Sequence, residues 1–322
     1  MEQTKRLMAL DVFRGLTIAL MIVVNNPGNW DYVYAPLLHS KWSGCTPTDM
    51  VFPFFMFIVG VAIPFAVANR IKKGDSRHRI LLHAFKRSLL LLFLGWALYC
   101  IGPGEIGFRF QNVLAQLSIT YFVAFLVMRK SFSFQLIFSL VILLVVDLAY
   151  RFFPVDGFNH PWVAYQNLGA WVNIKIEGVD KTSIWASLNA VPTIAHTVWG
   201  VLCGQLLMSD HPARKKIQIM LMAGLAGLLI GFSLDLLNIT PIIKKIATSS
   251  FVFASGGWAI LVLCLCYWLI DVKKLFVRGS KFFIIVGMNC IFIYLFFEIG
   301  GAELVSKIFK PFSKVLFQWE ET

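Results

Sequence analysis

Charge is what this chain has least of. Only 14% of its 322 residues are charged, while 58% are hydrophobic and the mean hydropathy is +0.74. A soluble domain carries about 25% charged and ~45–50% apolar residues. No soluble fold hides this much apolar surface, so lipid has to be the solvent. Cysteine is also scarce and unpatterned. Of the six, only Cys45 falls in a loop, and Cys264 and Cys266 lie in the apolar run LVLCLCYWL, too close together for a usual zinc pair. No metal spacing is present, so no metal is expected. The start MEQTKRLMALDVFRGL lacks a cleavage site, and Asp11 and Arg14 interrupt its apolar stretch, so the first helix is expected to be retained. The net charge of +12 comes without any nucleic-acid motif. Its basic residues sit between hydrophobic segments, where they set topology and meet anionic lipid headgroups.

What is present in quantity is long hydrophobic runs. Those of spanning length, ~17–25 residues, fall near 8–26, 49–69, 87–103, 112–128, 133–150, 187–208, 217–236, 250–271 and 282–300. Alternate loops are basic: Lys5 and Arg6; Arg70 to Arg87; Arg129 and Lys130; Arg214 to Lys216; Lys273 to Lys281. The loops between them are poorer in cations. Positive-inside asymmetry therefore predicts a cytoplasmic N-terminus. The expected fold is an all-α polytopic transmembrane bundle of about nine to ten helices, a single domain over 1–322. Two longer segments, 27–48 and 151–186, fall on the external side. Trp162, Tyr165 and Trp171 of the second read as an interfacial belt or as a sugar-stacking surface. The tail ELVSKIFKPFSKVLFQWEET is amphipathic and suits the membrane interface.

Ionisable groups inside spans are expensive and mark function. Here they are Asp11, Arg14, Asp49, Asp147, His196, Asp235, Asp271 and Glu298. Asp11 and Arg14 are spaced i, i+3 and can pair on one helix face. The richest stretch, VNNPGNWDYVYAPLLHSKWSGCTPTDMVFPFFMFIVG, carries Asn25, Asn26, His39, Trp42 and Asp49. A neutral imidazole there can act as general base or nucleophile, with Asp49 orienting it. His196, in PTIAHTVWG, reads either as a satisfied intramembrane histidine or as a substrate contact.

LDVFRGLTIALMIVVN followed by HSKWSGCTPTDMVFPFFMFIVG resembles the catalytic domain of the heparan-alpha-glucosaminide N-acetyltransferase family and its bacterial relatives. The pattern H-x-x-W-x-G-x-T-x-x-D falls on His39, Trp42, Gly44, Thr46 and Asp49. Further similarity lies in RSLLLLFLG, RFQNVLAQLSITYF, TSSFVFASGGWA and GMNCIFIY, so the resemblance runs from about residue 7 to residue 300. It implies an enzyme that takes acetyl-CoA from the cytosol as co-substrate and acetylates the amine of a glucosamine-like sugar on the far side. The family's active-site histidine falls on His39 and its helix-one asparagine on Asn25. Compared with the family, the Asn25-to-His39 spacing is longer by a few residues, and a last transmembrane helix is expected to be missing.

The resemblance assigns His39 and Asn25 to catalysis, Asp49 joins them as the group that orients the imidazole, and Asn26, Trp42 and His196 are expected at the acceptor. The anionic end of acetyl-CoA is expected to meet Arg14, Arg87, Ser249, Ser250 and Asn289. Lipid is a partner and nucleic acid is not. Oligomeric state stays open, a homo-oligomer included. The bare N-terminus and the bacterial branch point to a multi-pass protein of a bacterial inner membrane. The competing reading is an amino-sugar transporter without acyl transfer. Transporters often show internal repeats and paired broken helices, and neither is visible in this sequence.

Overall fold

The computed structural model describes residues 7–27, 29–101, 104–178 and 183–317. Lys5, Arg6 and Lys181, three of the charges used to orient the chain, lie outside the described residues. Each apolar run becomes a helix, because within lipid a helix is the one local structure that satisfies its own backbone groups. In chain order the helices are α1 (Met8–Asn25), α2 (Val51–Lys72), α3 (Arg77–Ile101), α4 (Val113–Val127), α5 (Phe132–Arg151), α6 (Leu168–Glu177), α7 (Ile194–Met208), α8 (Ala213–Leu236), α9 (Ser249–Cys266), α10 (Val277–Met288), α11 (Cys290–Phe296) and α12 (Ala302–Phe317). No strand is present among the described residues.

Among the described residues, seven helical segments are long and apolar enough to cross a membrane. They are α1, α2, α3, α5, α7, α8 and α9, with short turns extending α2, α7 and α9. An eighth is added if Gly279–Met288 and Cys290–Lys310, bent by 72° to each other, count as one span. The apolar α4 has 15 residues. The expected nine to ten helices thus compare with seven or eight spans plus this shorter helix. The chain is a helical membrane protein.

Burial sorts the helices into two layers. In α1, α2, α7 and α9, between 50% and 72% of the spanning window is buried, against 17% in α3, α5 and α8. The outer helices still expose Leu90 and Phe93, Leu144 and Val145, and Leu225 and Leu229. Apolar side chains turned outward on an outer ring are the mark of a lipid-facing surface. Small residues let the inner pair α2 and α7 touch backbone to backbone: a Cβ added at Gly60 would collide with the Thr197 carbonyl, and one at Gly200 with the Phe57 carbonyl.

Polar side chains fix the ends. Asn112, Ser131 and Asn167 cap α4, α5 and α6, each accepting from the backbone N–H three residues on. At the start of α1, the Asp271 carboxylate accepts from Met8 N at 3.3 Å and Ala9 N at 2.9 Å. An anion at a helix N-terminus also complements the helix dipole. Asp147 binds Arg151 at 2.6 Å and Thr240, and Asp235 accepts from Ile242 N at 2.8 Å. These two acids staple helix ends to the loop that precedes α9.

Candidate active site

The loop between α1 and α2 is folded around one carboxylate. Asp49 stands in the 3₁₀ turn Pro47–Met50 that leads into α2, and its side chain is 1% exposed. Its Oδ2 accepts from Ser40 N at 3.2 Å, Thr46 N at 3.0 Å and Thr46 Oγ1 at 3.0 Å. One oxygen thereby closes the whole turn from residue 40 to residue 49. Thr46 Oγ1 also reaches Leu38 O, and Thr48 Oγ1 donates to Pro36 O. Gly44, at φ +118°, takes a backbone conformation that favours glycine, and its N–H donates to Ile242 O at 2.8 Å. The loop is pinned in this way to the segment that precedes α9.

The other oxygen, Oδ1, faces chemistry. His39 Nδ1 lies 2.8 Å from it and Lys244 Nζ 3.4 Å. A carboxylate only accepts, so we assign the imidazole proton to Nδ1, donated to Asp49. Nε2 is then free to accept a proton, which is the tautomer a general base requires. Lys244 is also 3.2 Å from His39 Nδ1, and its side chain is only 5% exposed. Burial pushes its ammonium down to about 8, while the Asp49 carboxylate opposes the shift. Trp185 closes this group from one side. Its ring meets His39 edge-on at 6.1 Å and carries Lys244 at 5.1 Å from its centroid. Trp185 is itself held by Asn173, whose amide donates to its carbonyl at 2.7 Å. Burial pushes the neighbouring Cys45 thiol up to about 12, so it stays protonated and is no nucleophile near neutral pH.

His39 opens onto a cavity of about 300 Å³. Asn25, the last residue of α1, lines the same cavity. So do Lys244, Trp185, Asn189, Gln111, Gln116, Tyr99, Tyr294 and Glu298, with an apolar wall that includes Phe52, Phe55 and Leu98. These residues come from the ends of α1, α3 and α11 and the starts of α2, α4 and α7. Loops far apart in sequence converge on one end of the bundle.

The expected site residues divide. His39 and Asn25 line the same cavity, and Asp49 stands behind His39. Asn26 turns back on its own helix, donating to Ile22 O at 3.0 Å. Trp42 donates to Trp162 O at 2.7 Å and packs in a cluster with Tyr150, Ile243 and Ile246; it ties the His39 loop to the 151–186 segment. His196 is fully buried between α7 and α9, 2.8 Å from Ser255 Oγ. Arg14 pairs with Asp11 at 3.5 Å, and Arg87 lies 5.0 Å from the Tyr121 ring centroid. Ser249 reaches Asp147 at 3.5 Å, Ser250 donates to Pro241 O at 2.8 Å, and Asn289 donates to Ile285 O at 2.9 Å. None of these eight lines the cavity. Lys244 and Trp185 were missed as site residues. In sequence Lys244 reads as a loop charge, and only the fold brings it to Asp49.

A family model described as a domain of unknown function, DUF5009, matches residues 6–159. Heparan-alpha-glucosaminide N-acetyltransferase of Mus musculus is 27% identical over 383 residues, covering 99% of this chain and 56% of that protein. The Homo sapiens enzyme of the same name is 26% identical over 376 residues, covering 98% of this chain and 54% of that protein. The chain is similar to these acetyltransferases along almost its whole length. The resemblance carried by the His39 loop is therefore not confined to that loop. The chain spans about half the length of the curated relatives it matches.

Proposed function

We propose that this protein is a membrane N-acetyltransferase that moves an acetyl group from acetyl-CoA to the amine of a glucosamine-like sugar. The observation that carries the reading is the Asp49–His39 pair, 2.8 Å apart, opening with Asn25 onto one cavity. Similarity to acetyltransferases over 98–99% of the chain supports the reaction class.

An ammonium attacks a thioester only after losing a proton, which His39 Nε2 takes and passes to water. As the free amine bonds to the acetyl carbon, Nε2 takes the second proton from that nitrogen. Asp49 Oδ1 holds the ring through Nδ1 and balances the imidazolium that forms. The C–S bond then breaks, and the CoA thiolate leaves with the proton returned from His39. Asn25 orients the acceptor or donates to the developing oxyanion, a role worth ~3 kcal/mol in comparable sites. Lys244 completes the charge set by holding Asp49 from the side away from the loop. Direct transfer needs no covalent acetyl-His39 stage, and rapid-quench labelling of the protein separates the two routes.

On this proposal the N-terminus is cytoplasmic and the cavity opens on the opposite, external face of a bacterial inner membrane. Acetyl-CoA enters from the cytoplasmic end, where Arg14 and Arg87 are the cations for its anionic half. Arg14 lies eleven residues before Asn25 on α1, about 17 Å along a helix rising 1.5 Å per residue. Ser249 and Ser250 begin α9 at the cavity end, so any contact they make would be with the acyl end of the donor; Asn289 follows Gly287, which packs on Asp11 and Gly15, and would meet the donor at the level of Arg14.

The test is transfer of labelled acetyl from acetyl-CoA to glucosamine by the purified protein. N-acetylglucosamine should form with the native chain and be lost in His39→Ala. Substantial transfer by that variant would remove His39 from the chemistry. Absence of transfer by the native chain across a panel of amino sugars would overturn the reading.

A further inference from the structure

The charges that line the cavity do not cancel. Lys244 faces it, but Asp49 neutralises Lys244 from behind at 3.4 Å. Glu298 faces the same cavity and makes no hydrogen bond or ion pair among the described residues. The phenols of Tyr99 and Tyr294 feel its charge. Among the described residues, the cavity therefore holds one carboxylate without a counter-ion.

The backbone presents this residue in an unusual way. Glu298 sits in the π-helical turn Phe297–Gly301, which interrupts the helix between α11 and α12, and Gly300 takes φ +103°. A π turn inserts a residue into the helical register and re-aims the side chains around it, a device frequent at functional sites.

A carboxylate that faces a cavity without a counter-ion among the described residues describes a site for a cation.

We propose that Glu298 is the specificity-determining residue of the acceptor site, holding the ammonium of a protonated amino sugar. The substrate class rests on the acetyltransferase reading. The cation preference rests on the cavity's own charges. Glu298 draws the acceptor in its charged form, and His39 then removes one of the ammonium protons, so selection and deprotonation fall to different residues.

The experiment measures glucosamine and glucose binding to purified protein at neutral pH, alongside acetyl-transfer kinetics. The two sugars differ in whether they carry an ammonium group. The native chain should prefer glucosamine on the order of tenfold, as expected for a charge-assisted contact. Glu298→Gln should bind both equally and raise KM for glucosamine with little change in kcat. Glu298→Asp should keep part of the preference, and His39→Ala should keep all of it. An unchanged preference and KM in a folded Glu298→Gln would overturn the proposal while leaving the acetyltransferase reading in place. A preference that Glu298→Gln abolishes, in a native chain that transfers no acetyl, would do the reverse. A native chain with no preference for the amine would overturn the proposal outright.

Discussion

Lys244 Nζ stands 3.2 Å from His39 Nδ1, although 205 positions separate the two in the chain. Both reach the same carboxylate oxygen of Asp49. The imidazole, the carboxylate and the ammonium form one charge cluster assembled from two loops. The loop before α9 is fastened to the His39 loop by the Gly44 N–H to Ile242 O bond and by Lys245 Nζ donating to Lys41 O. The distance between Lys244 and His39 is thereby set by the fold and not by side-chain reach alone.

Asp49→Asn should keep the loop nearly in place and spoil the chemistry. An amide can donate to Nδ1 and so favours the wrong tautomer of His39. In a triad with the same geometry this change costs about 10⁴-fold in kcat; here a fall of at least ~10²-fold is expected, with sugar binding retained. A variant turning over at half the native rate would show that Asp49 serves the loop alone.

Lys244→Met removes one partner of a buried ion pair and leaves the other. Such a break costs about 3–5 kcal/mol, and the lower end is expected because His39 and three loop donors still hold Asp49. The measurement is the thermal midpoint in detergent together with the transfer rate. Lys244→Arg, keeping the charge, should recover more of the midpoint than of the rate. An unchanged midpoint in Lys244→Met would mean that the pair contributes nothing net.

The same lysine gives a pH signature with opposite signs for stability and rate. Its ordinary value of 10.5 falls to about 8 in the folded chain. Between those values the unfolded chain binds more protons than the folded one, so the Lys244 contribution to stability rises with pH across that window and is lost as pH falls through 8. The active arrangement needs the cation, so the transfer rate should decline over the same window. Both trends, taken as native-to-Lys244→Met ratios, should vanish in the variant. A rate ratio flat from neutral pH to 10 would exclude the ammonium from the active arrangement.

Gly60→Leu should damage the molecule away from the cavity. The added Cβ meets the Thr197 backbone, which has no flexible end to swing aside. A loss at or above the upper end of the ~1–3 kcal/mol typical of overpacking is expected, read as lower yield and a lower thermal midpoint. A native-like midpoint would show that α2 and α7 can separate freely.

Much of the fold was legible because lipid imposes length and polarity on each span. Every apolar run lies on a helix. The α10–α11 bend was not legible, since the one polar residue Asn289 in GMNCIFIY does not by itself separate a broken span from a continuous one; nor was α6, a helix of ten residues inside a segment read as external loop. His39, Asn25 and Asp49 were legible because they sit within 25 residues of one another in a patterned stretch. Lys244 and Glu298 line the same cavity but come from the last third of the chain; Glu298 stood out in the sequence as an ionisable group within a span, while only tertiary packing brings Lys244 to Asp49. Arg14 and Arg87 were chosen for their charge, and the structure sets them away from the cavity, Arg14 beside Asp11 and Arg87 against the Tyr121 ring.

The Asp271 carboxylate that receives the first amides of α1 has a mechanical meaning. Helix α1 is a rod of 18 residues, about 27 Å long, seated at one end on Asp271 and ending at the other in Asn25. Such a rod carries axial displacement without loss. A one-residue slip at the seat would move Asn25 by about 1.5 Å, half the length of a hydrogen bond. The register of the cavity is thus kept from the opposite side of the bilayer, and Asp271→Ala should loosen a site it never touches.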